Sequence, residues 1–328
     1  MGMKIVVLDG YGMNPGDLRW DALGALGELT VYDRTRPEEV ASRIAGAPIV
    51  YTNKVVLDRK TIEAAQELRF IGVLATGVNV VDVEAAREQG IPVCNVPAYS
   101  TDSVAQMTIA LLLEMCLHVG EHSRLVREGE WTKSPDFCFW RYPLVELAGK
   151  TMGIIGLGSI GRAVAKIASA LGMRVIAYRG HGEGVEMLPL KEVFAQADVL
   201  SLHCPLTPET HHMIDADAIK MMRDSAILVN TSRGGLIDTH ALIDALRQRK
   251  FAGVGLDVYE TEDNQIFEDY SDDVLRSVVV PVLLSFPNVV ITSHQAFFTR
   301  TALQSIAITT MENARAFARG EKLVNLVE

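Results

Sequence analysis

The stretch Thr151-Met-Gly-Ile-Ile-Gly-Leu-Gly-Ser-Ile-Gly161 decides the fold of this 328-residue chain. It joins an apolar run to the spacing Gly156-x-Gly158-x-x-Gly161, and a segment with helical periodicity follows. A strand, a glycine turn and a helix in this order bind a dinucleotide pyrophosphate, because the backbone comes close and the helix N-terminus offers free amides. The order therefore favours a dinucleotide site at Gly156, Gly158, Ser159, Ile160 and Gly161 over a glycine-rich turn without a ligand.

Short apolar runs alternate with charged, helix-period segments on both sides of this stretch. The runs lie at 5–8, 29–32, 49–51, 70–74 and 93–96, and then at 174–177, 199–202, 226–230, 253–256 and 289–291. Such alternation is typical of parallel sheets covered by helices on both faces. The sequence predicts an α/β protein with two Rossmann-like, doubly wound parallel-sheet domains, one flavodoxin-like and one dinucleotide-binding.

The end of the chain supplies the helix that the first series of strands lacks. A helix-period segment at 301–319 follows the second series. We therefore expect a discontinuous substrate-binding domain of residues 1–100 and 299–328, with a dinucleotide-binding domain of residues 101–298 inserted. The segment 102–117 has more apolar residues than one narrow stripe along a helix can hold. This helix is therefore expected to cross between the domains or to pack on a partner subunit.

Composition narrows the class of protein. A net charge of −10 and a pI of about 5.4 disfavour a nucleic-acid partner, and a mean hydropathy of +0.17 indicates a globular chain. The first apolar run reaches Asp9 too soon for a signal peptide, and prolines interrupt the longest uncharged stretch, so no membrane partner is expected. Four widely spaced cysteines indicate the cytoplasm and no metal site.

The residue after the second strand of the nucleotide unit bears on the choice of cofactor. Arg179 stands where an acidic residue accepts hydrogen bonds from the ribose diol of NAD. A guanidinium cannot accept those bonds, but it can pair with the 2′-phosphate of NADP. The sequence favours NADP(H) over NAD(H); the alternative is that Arg179 faces solvent and both cofactors are used.

Three further apolar runs of the second series are each followed by a residue that can bind an anion or transfer a proton. These residues are Arg233, Glu262 and His294. Because the carboxyl ends of parallel strands share one edge, these residues are expected to lie close together. Reduction of a 2-oxo acid needs a cation for its carboxylate and carbonyl, a proton donor for the developing alkoxide, and a carboxylate that holds the protonated donor. The three residues supply these chemistries, although each alone could be an ordinary surface residue.

At these positions the chain resembles the D-isomer-specific 2-hydroxyacid dehydrogenases over nearly its entire length. The resemblance is carried by the glycine motif, the loop His203-Cys-Pro-Leu-Thr-Pro-Glu-Thr210, the run Asn230-Thr-Ser-Arg-Gly-Gly235, Asp257 with Glu262, and His294. It implies that Arg233 binds and polarises the 2-oxo acid, that His294 is the general acid/base, and that Glu262 pairs with His294.

The resemblance also implies contacts with both ligands. On the cofactor side it implies Asp257, Thr231, Ser232 and His294 near the nicotinamide, and His203, Cys204, Pro205 and Thr210 near the adenine. The loop 75–79, with Thr76, Gly77 and Val78, resembles the turn that binds the substrate carboxylate through its amides. Tyr99 is expected to cover the site from the first domain.

The identity of the substrate stays open at the level of sequence. Residues 134–140 look like glycerate dehydrogenases (hydroxypyruvate or glyoxylate reductases), whereas 257–260 and 294–299 look like D-lactate dehydrogenases. The expected activity is NAD(P)H-dependent reduction of a small 2-oxo acid, hydroxypyruvate, glyoxylate or pyruvate, to the D-2-hydroxy acid. Four aromatic residues leave a bulkier, aryl-lactate type of substrate open, with ordinary packing as the alternative: Tyr99, Trp140, Phe297 and Phe298.

Two expectations concern partners. The family includes a transcriptional corepressor, so an NAD(P)H-sensing binding protein is the alternative of another class, although the complete catalytic set argues against it. The apolar helix at 102–117 resembles the family's dimer-forming arm, which predicts a homodimer.

Overall fold

The computed structural model of the protein describes residues 3–14, 20–260, 262 and 279–327. These residues form two compact units. The first contains residues 3–14, 20–99 and 298–327, and the second contains residues 100–260, 262 and 279–297. Each unit is built on its own parallel sheet.

The sheet of the first unit has five strands in the order β2-β1-β3-β4-β5. They are β1 (Met3–Val7), β2 (Gly27–Val31), β3 (Ile49–Thr52), β4 (Phe70–Val73) and β5 (Val93–Cys94). Strands β3 and β4 are buried along their whole length, as expected when helices cover both faces of a parallel sheet. The order 2-1-3-4-5 is that of flavodoxin-like sheets, which confirms the predicted fold class for this unit.

The helices of the first unit are α1 (Asp21–Gly24), α2 (Val40–Ile44), α3 (Arg59–Ala64), α4 (Val83–Glu88) and α13 (Arg300–Ala318). Helix α13 packs on β4, where the ring centroids of Phe317 and Phe70 lie 4.9 Å apart. After α13 the chain returns to the sheet, and the amide of Val327 donates to the carbonyl of Val93 at 2.8 Å. The C-terminal segment thus completes the core of the first unit.

The sheet of the second unit has seven strands in the order β12-β11-β10-β9-β6-β7-β8. They are β6 (Thr151–Leu157), β7 (Arg174–Gly180), β8 (Glu186–Met187), β9 (Val199–Leu202), β10 (Ala226–Asn230), β11 (Phe251–Leu256) and β12 (Val289–Ile291). The chain order reverses between β6 and β9, and open α/β sheets bind ligands outside the carboxyl ends of the strands at such a point.

Eight helices among the described residues cover this second sheet or extend from it. They are α5 (Thr101–Leu117), α6 (Val119–Arg127), α7 (Glu130–Lys133), α8 (Ser159–Ala170), α9 (Leu190–Gln196), α10 (Ala216–Met221), α11 (Thr239–Arg247) and α12 (Val279–Leu284). Within the described residues no single helix has the length and apolarity of a membrane span; α5 and α6 pass that test only as a pair, bent by 57°.

Helix α5 packs on its own sheet, a placement that sequence alone did not predict. Its Met115 lies over Gly253 and Gly255 of β11, where an added Cβ would come within 3.0 Å and 2.9 Å of the Met115 side chain. Apart from Leu117 at the end of α5, the exposed large apolar side chains of this part of the chain lie on residues 119–144: Val119, Val126, Trp131, Phe137, Trp140 and Leu144. The apolar character of α5 therefore reflects the core of the second unit.

The three glycines of the nucleotide motif have different neighbours. A Cβ on Gly156, whose φ is +96°, would lie 2.7 Å from the carbonyl oxygen of His203. A Cβ on Gly161 would lie 2.2 Å from the carbonyl oxygen of Gly156, because α8 packs closely on β6 at this point. At Gly158 nothing lies within 4 Å of the added atom. Packing therefore requires glycine at 156 and 161, whereas the space beside Gly158 is open.

This difference predicts that replacing glycine by alanine destabilises the protein by different amounts at positions 161 and 158. Gly161→Ala should lower the free energy of unfolding by about 2 kcal/mol, because the helix must move away from the strand. Gly158→Ala, at a φ of −77° and in open space, should change it by less than about 0.5 kcal/mol. Urea unfolding of the two variants beside the unsubstituted protein measures both; equal destabilisation would contradict this account of the motif.

Candidate active site

The carboxyl ends of β6, β9, β10, β11 and β12 meet at one edge of the second sheet, because all five strands are parallel. The segments that follow these strands carry the residues singled out in the sequence. They are the glycine turn 156–161, the loop 203–210, the turn 230–235, the segment 257–262 and the turn 292–296. The topology thus brings the predicted cofactor and catalytic residues of the second unit to one edge.

The glycine turn fits a dinucleotide pyrophosphate. Gly158 is the N-cap of the twelve-residue helix α8, so the first amides of the helix have no capping side chain. Open space lies beside Gly158, while Ser159 is exposed and Ile160 is half-buried. A phosphate group can occupy this space and accept hydrogen bonds from the helix N-terminus, which carries a partial positive charge.

Arg179 lies at the end of β7, one residue before Gly180, which pairs with Leu157 of β6. Its side chain is exposed, and its guanidinium carbon lies 5.5 Å from the ring centroid of Tyr178. The loop 203–210 is near enough for the charge to act on it: the pKa of Glu209 is held below its ordinary value chiefly by a hydrogen bond from the Thr207 hydroxyl, and to a smaller extent by Arg179. A cation thus stands beside the predicted adenosine end of the site.

His203 is neutral at working pH. Burial lowers its pKa to about 4, and its Nε2 lies 2.8 Å from the Ser201 hydroxyl oxygen. The other ring nitrogen, Nδ1, is buried without a hydrogen-bond partner among the described residues. The carbonyl of His203 faces Gly156, so the backbone of this residue packs against the glycine turn.

The rest of the 203–210 loop is held together by its own polar groups. The Thr210 hydroxyl is buried, donates to the Pro205 carbonyl at 2.7 Å and accepts from the Thr207 amide at 2.8 Å. The Cys204 side chain is also buried, whereas Pro205 is exposed. The structure thus gives Thr210 and Cys204 a part in shaping the loop, and their contact with adenine stays a prediction.

The turn that carries Arg233 is built by the buried side chain of Asn230. Its Nδ2 donates to the Arg233 carbonyl at 2.8 Å, and its Oδ1 accepts from the Ser232 amide at 3.0 Å. The Ser232 hydroxyl donates to the Cys204 carbonyl at 2.7 Å. The Arg233 guanidinium is exposed at this edge and donates to the Ser232 carbonyl at 2.8 Å.

Thr231 anchors the same turn to α5. Its hydroxyl oxygen lies 2.8 Å from that of Thr108, and Thr108 donates its own proton to the Val104 carbonyl at 2.8 Å. The Thr231 hydroxyl is therefore the donor in the pair and faces the core. This leaves the backbone of Thr231 as the group available to a cofactor.

The side chains of Glu262 and His294 are in contact at the edge of the sheet. The His294 Nδ1 lies 3.0 Å from the Glu262 Oε1, with the side chains 31% and 17% exposed. His294 adopts a left-handed backbone conformation with a φ of +52°, and the ring of Phe297 meets the imidazole edge-on at 6.3 Å. Because Nδ1 faces Glu262, Nε2 is the ring nitrogen left open to a ligand.

Asp257 holds the turn that carries His294, a contribution that the sequence did not reveal. Its buried carboxylate accepts hydrogen bonds from the Thr292 hydroxyl at 2.5 Å, the Gln295 amide at 3.0 Å and the Ala296 amide at 2.8 Å. The His294 amide donates to the Asp257 carbonyl at 2.7 Å. The resemblance implies that Asp257 contacts the nicotinamide. In the structure both of its carboxylate oxygens also hold the turn that carries His294.

A signal for the role of Asn230 was present in the sequence. An asparagine at the end of a strand that binds the amide two residues later is a common turn builder. No comparable local signal exists for Asp257, since its partners lie 35 to 39 residues away.

In the first unit, the loop 75–79 follows the carboxyl end of β4. The Thr76 hydroxyl donates to the Val96 carbonyl at 3.0 Å, and the Asn95 side chain donates to the Thr76 carbonyl at 2.8 Å. Gly77 and Val78 are half-buried beside it. Tyr99 is half-buried and follows Ala98, whose φ is +56°. The predicted contacts of Thr76, Gly77, Val78 and Tyr99 with a substrate stay predictions.

Comparison with known proteins identifies relatives along the whole chain. The sequence model of the D-isomer specific 2-hydroxyacid dehydrogenase, NAD binding domain, matches residues 109–296. A hydroxypyruvate reductase of Blautia hydrogenotrophica is 48% identical over 99% of both chains. A glycerate dehydrogenase of Methylorubrum extorquens is 38% identical over 92% of both chains.

Solved structures agree with these relatives. The apo-structure of D-lactate dehydrogenase from Escherichia coli superposes with a TM-score of 0.81, at 32% identity over 99% of this chain and 100% of the other. An acyclic imino acid reductase, Bsp5, in complex with NADPH and D-Arg superposes with a TM-score of 0.82, at 26% identity and the same coverage. The chain belongs to the D-isomer-specific 2-hydroxyacid dehydrogenases, oxidoreductases that act on 2-hydroxy acids.

Proposed function

We propose that this enzyme reduces hydroxypyruvate to D-glycerate with NADPH as the preferred reductant, and that it also accepts other small 2-oxo acids such as glyoxylate and pyruvate. The observation that carries the proposal is the 3.0 Å pair of Glu262 and His294 on the sheet edge where Arg233 is exposed. The choice of hydroxypyruvate rests on the 48% identical relative of that name.

The three residues divide the chemistry of carbonyl reduction. The Arg233 guanidinium binds the substrate carboxylate and draws electron density from the carbonyl oxygen. The His294 Nε2 donates a proton to that oxygen as it becomes an alkoxide, and Glu262 fixes the orientation of the ring through Nδ1. In the reverse direction His294 takes the proton from the hydroxyl group, by microscopic reversibility.

The nicotinamide cofactor supplies the hydride when it is bound. The glycine turn and the first amides of α8 would hold its pyrophosphate, and Asp257 and the backbone of Thr231 and Ser232 would contact the nicotinamide. Arg179 binds the 2′-phosphate of NADPH, a role that suits an exposed guanidinium at the end of β7. The choice rests on Arg179, since similar solved structures contain NADPH in one case and NAD in others.

We also propose that the enzyme is a cytoplasmic homodimer. All four cysteines are free, three of them buried, which suits a reducing compartment. The exposed apolar side chains on residues 119–144 include Trp131, Phe137 and Trp140, which are 52%, 89% and 70% exposed. A cluster of this kind on a water-soluble enzyme is typical of an interface between subunits. Sedimentation of the purified chain at twice its own mass is the expected result.

The roles of His294 and Glu262 predict a graded loss of turnover. His294→Asn, which tolerates the left-handed backbone, should lower kcat with hydroxypyruvate and NADPH by about a thousandfold, because the proton donor is gone. Glu262→Gln should lower it by about ten- to a hundredfold, because the ring keeps its donor nitrogen but loses its charged partner. Steady-state kinetics measure both variants, and the exposed Asp217→Asn serves as the control. Full turnover in His294→Asn would refute the assignment.

The role of Arg179 predicts a cofactor preference and its reversal. The unsubstituted protein should show a kcat/KM for NADPH at least about tenfold above that for NADH, because only NADPH carries the phosphate that pairs with the guanidinium. Arg179→Asp, which can accept hydrogen bonds from the ribose diol, should favour NADH. Arg174→Ala, an exposed arginine at the other end of β7, should leave the preference unchanged.

A panel of hydroxypyruvate, glyoxylate, pyruvate and phenylpyruvate with both cofactors gives these ratios and ranks the substrates. A preference of the unsubstituted protein for NADH would contradict the role of Arg179. Tight NADPH binding without turnover of any of the four acids would contradict the proposed function.

A further inference from the structure

A second group of imidazole and carboxylate side chains lies outside the catalytic residues. His211 and His212 follow the 203–210 loop, and Glu260 lies two residues before Glu262. One ring nitrogen of each histidine and a carboxylate oxygen of Glu260 lie within 4.8 Å of one another. Across residues 3–14, 20–260, 262 and 279–327, this is the one group of three such side chains whose donor atoms come this close.

The backbone holds both histidines in place. The His211 amide donates to the Thr207 carbonyl at 2.9 Å, and the His212 amide donates to the Gly235 carbonyl at 2.8 Å. His212 adopts a left-handed conformation with a φ of +53°, and its Nε2 contacts Glu260. The two imidazole rings stack with their centroids 3.8 Å apart and their planes at 26°. The pair of rings thus faces the carboxylate without a change of backbone conformation.

Glu260 is fixed from the other side. Its Oε1 lies 2.5 Å from the His212 Nε2, and its Oε2 accepts from the Thr239 amide at the start of α11 at 3.2 Å. The His212 and Glu260 side chains are 34% and 24% exposed, and His211 is exposed. The group is therefore open to solvent on the side of His211 and anchored on the side of Glu260.

Two imidazoles and one carboxylate form a donor set that suits a borderline metal ion. Zn²⁺ takes nitrogen ligands at about 2.0–2.1 Å and carboxylate oxygens at about 2.0–2.2 Å in tetrahedral geometry, and so needs donors about 3.3 Å apart. The three donor atoms lie within 4.8 Å of one another, and binding requires the two stacked rings to turn until their nitrogen lone pairs converge on the ion. Mg²⁺ and Ca²⁺ prefer oxygen ligands, so a site with two nitrogens disfavours them.

We propose that His211, His212 and Glu260 bind one Zn²⁺ ion, with water as the fourth ligand. The ion takes the place of the proton shared between the His212 Nε2 and the Glu260 Oε1, and that proton is released to solvent. His211 supplies the third protein ligand. It takes no part in the hydrogen bond between His212 and Glu260. The bound ion joins the 203–213 loop to the 257–262 segment. No local sequence pattern indicates this site, because Glu260 lies 48 residues after His212.

Zinc titration of the full-length protein, stripped of metal with EDTA and free of cofactor, tests this site. Calorimetry with Zn²⁺ alone should show one ion per chain with a micromolar Kd. His211→Ala should raise that Kd at least about tenfold, because one of three protein ligands is lost. The His211 side chain is exposed and stacks on the adjacent ring of His212, so the variant should retain its folded structure. Zn²⁺ should also raise the Tm of the unsubstituted protein, and His211→Ala should lose that rise.

Two controls separate this site from other histidines. His181→Ala removes an exposed histidine elsewhere in the second unit, and His294→Asn disables the catalytic pair. Both should bind Zn²⁺ as tightly as the unsubstituted protein. The proposal is overturned if Zn²⁺ binds only at millimolar concentration, if His211→Ala binds it as tightly as the unsubstituted protein, or if His294→Asn abolishes binding.

Discussion

The buried carboxylate of Asp257 is the interaction on which the candidate active site depends. A carboxylate that loses contact with water must have its oxygens hydrogen-bonded, since the cost of leaving them unpaired is several kcal/mol. Here the donors are the Thr292 hydroxyl and the amides of Gln295 and Ala296, which close a turn around His294. Closing that turn places the imidazole in a left-handed backbone position with Nδ1 against Glu262. One buried carboxylate after the end of β11 thus sets the orientation of His294 on the turn that follows β12.

The chain as a whole is acidic, whereas both ligands of its proposed reaction are anions. The two cations assigned to these ligands, Arg179 and Arg233, are exposed at the carboxyl ends of β7 and β10. Arg179 is the last residue but one of β7 and Arg233 lies three residues after β10, so the parallel sheet brings local positive charge to one edge of a protein with a net charge of −10. The helix dipole of α8 adds to this charge at the glycine turn.

Sequence patterns predicted the elements whose signals are local. The strands at 199–202, 226–230 and 289–291 have the predicted ends, because buried parallel strands are continuous apolar runs. The glycine motif could also be recognised, since Gly156 and Gly161 are each required by a contact within a few residues or on a neighbouring strand. The proximity of Glu262 and His294 was expected from the rule that parallel strands share an edge, without any knowledge of the side-chain geometry.

Long-range hydrogen bonds account for most of what the sequence did not reveal. The bonds of Asp257 to residues 292–296 and of Glu260 to His212 join segments 35 to 48 residues apart, and neither leaves a periodic or spacing signal. The location of α5 was missed for a related reason. Its apolar composition was equally compatible with an interface, and only the glycines at 253 and 255, which admit Met115, direct it to its own sheet.

The most direct test of this account is the substitution Asp257→Asn, with turnover and cofactor affinity measured separately. Asparagine keeps the size of the side chain but turns one acceptor into a donor that faces the donors of the 292–296 turn. If Asp257 acts mainly by holding His294, kcat with hydroxypyruvate should fall by about a hundredfold or more, while the Kd for NADPH, measured by fluorescence quenching, changes by less than about threefold. Unchanged turnover together with a large loss of NADPH affinity would contradict the account and would assign Asp257 to the nicotinamide alone.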